Sequence, residues 1–174
     1  MLRSHGVSIV ETSAPKQTET TQRWKIALAT SGIGAPLRTN IEFSRRGSPA
    51  DCEFAAVDAD LARHYEISAP LVNHYTAASA IAQKIEALAL RPTPQARDVF
   101  DLHLLLTSHP HLEVTAKRAV IHKATLCAMD LSFDDFAGQV LAYLTPEHES
   151  LYQLKRTWEQ MQNDVVSALE RITS

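Results

Sequence analysis

The sequence predicts an α+β protein in which a small, mostly antiparallel N-terminal sheet is followed by a C-terminal helical bundle. Short β-rich segments occupy the first part of the chain, and after residue 76 the apolar residues recur every three or four positions. Because the strands precede the helices instead of alternating with them, the arrangement is α+β. We therefore predict a β-rich part at residues 1–75 and a helical part at residues 76–174.

Four segments of the β-rich part are predicted strands, at residues 7–12, 23–29, 38–45 and 66–72. Gly32 and Pro36 predict a turn that joins the second and third strands as an antiparallel pair. The fourth strand contains Pro70, which confines it to a sheet edge or to a strand end.

Five helices are predicted in the helical part, at about residues 76–90, 95–108, 113–128, 132–144 and 149–172. Thr76 can cap the first helix, and Pro92 and Pro94 separate it from the second. The last helix is predicted to bury one apolar stripe, formed by Leu151, Leu154, Trp158, Met161, Val165 and Leu169.

Composition and charge exclude several classes of protein. The net charge of −3 argues against a domain that binds nucleic acid mainly by electrostatics, although a local basic site remains compatible with it. No segment has the length and apolar character of a membrane span or a signal peptide, so no membrane partner is expected. Cys52 and Cys127 are isolated, as is typical of a reducing compartment, and a cytoplasmic location is expected.

The segment from Ala77 to Leu106 brings four charged residues to one helix junction. Lys84 and Arg91 lie on the same margin of the first helix, and Asp98 and Asp101 open the second. Two interpretations are open. The acids can favour the helix dipole while the cations merely neutralise them, or Lys84 can hold a phosphate while a carboxylate orients it or acts as a base.

The run AQKIEALALR-PTPQARDVFDLHLLL resembles the lysine motif and the Arg-Asp-x-x-Asp motif of the AbiEii/AbiGii-type nucleotidyltransferase toxins, whose catalytic core is similar to that of DNA polymerase β. The segments NIEFSRR and LSFDDFAGQVLAYL extend the resemblance to about residues 20–172. It implies Mg²⁺-dependent transfer of a nucleotide from an NTP to an acceptor, which is tRNA in characterised members.

Site residues follow from the resemblance. Lys84 matches the lysine that contacts the triphosphate. Arg91, on the same side of the helix, is predicted to bind the NTP together with it. Asp98 or Asp101 matches the downstream catalytic aspartate, and Glu42 matches a strand acid near the metal site.

One family motif is not found upstream of the strand that contains Ile41 and Glu42. This motif is a Gly-Gly or Gly-Ser turn followed by Asp-x-Asp. Gly47-Ser48 followed by Asp58-Ala59-Asp60 fits its spacing but lies after that strand, so we interpret it as a loop. Asp58 and Asp60 are therefore weak candidates as metal ligands. The chain alone is expected to be inactive or weakly active, with the missing part of the core supplied by an upstream segment of a longer enzyme, by a second chain or by a second copy. The alternative is a non-catalytic, homo-oligomeric interaction module derived from the family.

Overall fold

The computed structural model describes residues 6–44 and 51–172. The chain divides into two compact units, which we call the N-terminal unit (residues 1–49) and the C-terminal unit (residues 50–174). The described residues include an antiparallel sheet followed by helices, so the predicted α+β class is confirmed.

The N-terminal unit contains an antiparallel sheet built around one long central strand. Its strands are β1 (Val7–Thr12), β2 (Lys16–Gln17), β3 (Thr21–Thr30) and β4 (Leu37–Ser44). Strand β3 pairs with all three others. The predicted antiparallel pair is confirmed, with a register that runs from Thr21 opposite Ser44 to Leu28 opposite Leu37. Gly32 adopts a φ of +92° in the connecting turn, a conformation that costs glycine little.

The C-terminal unit begins with a second, two-stranded sheet. Strand β5 (Cys52–Ala56) and strand β6 (Leu71–Tyr75) pair antiparallel, and helix α1 (Ala59–His64) lies between them in the sequence. The predicted strand at residues 66–72 is wrong in position, because β6 begins only after Pro70. The residues before it terminate α1, where Glu66 donates its N–H to the carbonyl of Arg63.

Six further helices complete the described part of this unit. They are α2 (Ala77–Leu90), α3 (Ala96–Ser108), α4 (Arg118–Asp130), α5 (Phe133–Gln139), α6 (Pro146–Tyr152) and α7 (Lys155–Ile172), with a 3₁₀ turn at Leu141–Tyr143. The predictions for α2 and α3 are confirmed. None of the described helices combines the length and apolar character needed to cross a membrane.

The predicted helix at residues 149–172 is wrong, because Gln153 and Leu154 separate α6 from α7. Leu151 and Leu154 are therefore exposed, at 62% and 47%, although they share the apolar spacing of the stripe. The predicted helix at 132–144 likewise ends early, at Gln139.

The core of the C-terminal unit lies among α2, α3, α4 and α7, with α5 packed against them. Its largest buried residues are Trp158 and Phe136, whose rings stack at a centroid distance of 4.8 Å. The remaining stripe residues of α7 are buried as predicted, namely Met161, Val165 and Leu169. Burial of this apolar area is the main favourable contribution to folding of the unit.

Helix α5 begins with a capping box. The Ser132 hydroxyl accepts a hydrogen bond from the N–H of Asp135, and the Asp135 carboxylate accepts bonds from the Ser132 N–H and hydroxyl. The hydroxyl bond, followed by the N–H bond, lowers the pKa of the Asp135 carboxyl from its ordinary value. This ionised carboxylate helps to fix the first turn of the helix.

We expect Ser132→Ala to lower the free energy of unfolding by about 1 kcal/mol at neutral pH, since it removes a helix cap. A lowered folded-state pKa gives stabilisation that is present above the ordinary pKa of aspartate and is lost as the pH falls through the lowered value. The difference in the free energy of unfolding between the variant and the unmodified chain should therefore decrease in acid. Urea unfolding over a range of pH measures this difference.

Thr76→Ala is the matched control, because Thr76 caps α2 by accepting from the N–H of Ser79, with no carboxylate involved. The loss in the free energy of unfolding caused by Thr76→Ala should not change with pH. Equal pH dependence of the two variants would contradict the role given to Asp135.

Candidate functional site

Helices α2 and α3 are joined by a short proline-containing connection that fixes the candidate site. Helix α2 buries Ile81, Ile85 and Leu88 and ends at Leu90, after which Arg91 adopts an extended conformation. Helix α3 begins at Ala96. The two helices are packed side by side, so charged residues near the connection come together.

The first turn of α3 is anchored by another helix. The side chain of Gln95, the N-cap residue, forms no capping hydrogen bond. The N–H of Ala96 instead donates to Oε1 of Gln139, at 2.7 Å. Gln139 is the last residue of α5. The residues that follow Ala96 therefore have a defined position relative to the rest of the bundle.

Asp98 lies in this first turn and is completely buried, with 0% exposure. It is the one buried polar or charged residue in the described part of the chain. A carboxylate without water needs cations or hydrogen-bond donors to remain ionised. Lys84 Nζ lies 3.3 Å from its Oδ1, and Arg91 Nε lies 3.0 Å from its Oδ2.

The contact between Arg91 and Asp98 is ionic more than directional. Although Arg91 Nε and Asp98 Oδ2 are close, neither atom has an aligned hydrogen bond within the described residues. The Arg91 Nη2 group donates to Asp98 Oδ1 over a long distance of 3.4 Å. The guanidinium therefore compensates the buried charge but is not locked in the bidentate geometry of a strong arginine–carboxylate pair.

Asp101 lies one turn further along α3 and shares the same lysine. The Lys84 ammonium donates to Asp98 and also to Asp101. The side chains of Lys84 and Asp101 are 32% and 38% exposed. Lys84 therefore bridges one carboxylate that water cannot reach and one that it can.

We call Lys84, Arg91, Asp98 and Asp101 the junction cluster. It contains two cations and two carboxylates, so its formal charge is zero. Because Lys84 and Arg91 are each about one-third exposed, a ligand in solution can reach both of them. An anion can therefore bind here if it replaces one of the existing ion pairs.

Comparison with known families gives a match over residues 3–172 to the family described as Nucleotidyl transferase AbiEii toxin, Type IV TA system. The chain belongs to the AbiEii family. Comparison with curated proteins gives no match.

Two crystal structures from Helicobacter pylori are similar to this AbiEii-family chain, each with 18% sequence identity and 96% of the chain covered. A candidate nucleotidyltransferase has a TM-score of 0.52 with 70% of its own chain covered. The protein JHP933 has a TM-score of 0.51 with 68% covered. At this identity the similarity concerns the fold alone.

Glu42, the strand acid that the resemblance implies, lies on β4 in the N-terminal unit. It faces Arg23 in the register of β3 and β4, and its Oε2 lies 2.5 Å from Arg23 Nη2. Both side chains are nearly half exposed. In the described structure Glu42 thus takes part in a cross-strand ion pair, the arrangement that opposite charges on facing strands favour.

Asp58 and Asp60 have local roles at α1 and do not share a strand face. Asp58 is the N-cap, and its Oδ1 accepts hydrogen bonds from the N–H groups of Asp60 and Leu61, each at 2.9 Å. Asp60 pairs with Arg63 one turn later. Gly47 and Ser48, the other half of that motif candidate, lie outside the described residues.

The junction cluster does not fit a magnesium site. Both oxygens of Asp98 face cations, and Asp101 is engaged by Lys84. Across residues 6–44 and 51–172, no group of three or more histidine, cysteine or acidic side chains is placed to hold a metal ion. Magnesium needs several oxygen ligands free of competing cations.

Two features of the site region were not predicted from the sequence. Gln139 anchors α3 from 43 residues away, and no local pattern indicates that contact. His103 is only 19% exposed, between α3 and α7, with its Nδ1 3.8 Å from Asp164. A cavity of about 230 Å³ adjoins this pair.

We expect Asp98→Asn to lower the free energy of unfolding by about 2 kcal/mol. It removes the negative charge that compensates Lys84 and Arg91 in a buried setting, while these cations, being partly exposed, regain some hydration. Urea unfolding followed by tryptophan fluorescence measures the effect.

Asp101→Asn is the matched control, because it makes the same chemical change on the same helix at a position that water reaches. It should cost less than about 1 kcal/mol. Equal losses for the two variants would show that burial of Asp98 does not decide the energetics of the cluster.

Proposed function

We propose that this AbiEii-family chain takes part in transferring a nucleotidyl group from an NTP to an RNA acceptor of the tRNA class, with Lys84 and Arg91 as the residues that bind the triphosphate. The observation that carries the proposal is the junction cluster, in which a buried carboxylate holds two partly exposed cations at one helix junction. The family assignment supports nucleotidyl transfer as the reaction type.

Nucleotidyl transfer needs charge stabilisation more than covalent catalysis. An acceptor hydroxyl attacks the α-phosphorus, the bond to the bridging oxygen breaks, and pyrophosphate leaves with the negative charge. Lys84 and Arg91 would offset charge on the phosphate oxygens, and Asp98 would hold both cations in place.

A carboxylate is also needed to accept the proton of the acceptor hydroxyl. The resemblance offers Asp98 and Asp101 for this role. Asp101 is the better candidate, since its side chain is 38% exposed while that of Asp98 is inaccessible.

We further propose that other acids complete the active site and come from a second chain or a second copy. The support is the donor set of the junction cluster, which does not suit Mg²⁺. Little transfer activity is expected from this chain alone. The Type IV TA description of the family also supports an antitoxin as a partner.

We expect Lys84→Met to weaken binding of ATP, CTP, GTP or UTP at least tenfold, as measured by titration calorimetry in the presence of MgCl₂. Methionine retains much of the apolar stem but removes the charge that would meet the phosphates. Circular dichroism shows whether the variant remains folded.

Lys155→Met is the matched control, because Lys155 forms an exposed ion pair with Glu159 and lies outside the junction cluster. It should bind nucleotide as the unmodified chain does. The proposal fails if the unmodified chain binds none of the four nucleotides, or if Lys84→Met binds them equally well.

A homo-oligomeric interaction module is the second candidate function. Alternate residues of β4 place apolar side chains on one face, and Leu37, Ile41 and Phe43 are each about half exposed. An exposed apolar surface of this kind is typical of an interface. Two copies of the chain would associate through this face of β4.

Light scattering of the full chain should then give the mass of a dimer or larger assembly, and Phe43→Ser should shift it toward the monomer. Asn40→Ser, on the opposite face of the same strand, should leave the mass unchanged. A monomeric mass for the unmodified chain rules this candidate out.

A further inference from the structure

The two carboxylates of the junction cluster hold the same ammonium in different environments. Asp98 is completely buried and contacts both Lys84 and Arg91. Asp101 is 38% exposed and contacts Lys84 alone among the cations of the described residues. The two ion pairs of Lys84 therefore differ in how easily they can be broken.

Breaking the pair with Asp101 costs less than breaking the pair with Asp98. A released Asp101 regains hydration at once, because its side chain already meets water. A released Asp98 would remain as a carboxylate without solvent, which is strongly unfavourable. When an anion approaches Lys84, Asp101 is consequently the carboxylate that leaves.

We propose that Asp101 is a displaceable counter-ion of Lys84, whose place is taken by an oxygen of a polyphosphate, while Asp98 and Arg91 stay in contact. This inference rests on the proposed function, since it assumes that Lys84 binds the phosphates of the nucleotide. Asp101 acts on phosphate binding through Lys84 and is in that respect a positioning residue.

The exchange favours ligands of high charge density. With Asp101 in place the junction cluster is neutral, so a weakly charged anion gains little by displacing it. A triphosphate presents several charged oxygens and can contact Lys84 and Arg91 together. Asp101 thus lowers the affinity for every phosphate but discriminates in favour of the triphosphate class.

The test uses the full chain and inorganic triphosphate, with EDTA present and at low ionic strength, so that only the cations of the protein compete for the ligand. We expect Asp101→Asn to bind triphosphate about fivefold more tightly than the unmodified chain, since a partly exposed ion pair no longer opposes binding. A residue with a purely structural role would not tighten binding when it is removed.

Three variants serve as controls. Asp101→Glu retains the charge and should bind as the unmodified chain does. Glu159→Gln releases Lys155 from an exposed pair elsewhere and should leave the affinity unchanged, which controls for net charge. Asp101→Ser also removes the carboxylate and should bind more tightly, which provides a second measurement if Asp101→Asn folds poorly.

The outcomes separate the inference from the function on which it rests. If the unmodified chain binds triphosphate and the charge-removing variants bind equally or more weakly, the displaceable role is wrong while phosphate binding stands. If neither the unmodified chain nor these variants bind triphosphate, both proposals are wrong. Tighter binding by Glu159→Gln to the same degree would also overturn the inference.

Discussion

The buried carboxylate of Asp98 is the constraint on which the candidate site depends. An ionised group without water must be surrounded by compensating charge, and the chain supplies it from the middle of α2 and from the connection that follows the helix. The positions of Lys84 and Arg91 are therefore set by the needs of folding. About one-third of each of these two side chains is exposed to solvent. A ligand can therefore reach cations whose primary role is structural.

This arrangement could be predicted in part, because it comes from local patterns. The apolar spacing of Ile81, Ile85 and Leu88 determines which margin of α2 carries Lys84, and the prolines after Arg91 determine where α3 can begin. The observed bounds of α2 and α3 differ from the predicted ones by at most one residue. The convergence of the four charges follows from these bounds.

Features that depend on distant contacts could not be predicted in the same way. The spacing of Leu151 and Leu154 matches that of the buried residues of α7, and only the break at Gln153 places them at the surface. Asp58 and Asp60 have the spacing of paired strand acids, but a helix begins between them and uses Asp58 as its cap. For the two leucines the apolar pattern was correct about residue type and wrong about the backbone that carries it. For the two aspartates the order of the motifs already argued against a strand, and the structure adds the helix that Asp58 caps.

The hydrogen bond from Ala96 to Gln139 has a consequence for the order in which the protein folds. The start of α3 depends on an amide that is synthesised 43 residues later, so local interactions alone do not complete it. On the ribosome, the segment that carries both aspartates will emerge well before the residue that anchors it. The proposed phosphate site should therefore form late in translation, after α5 has docked.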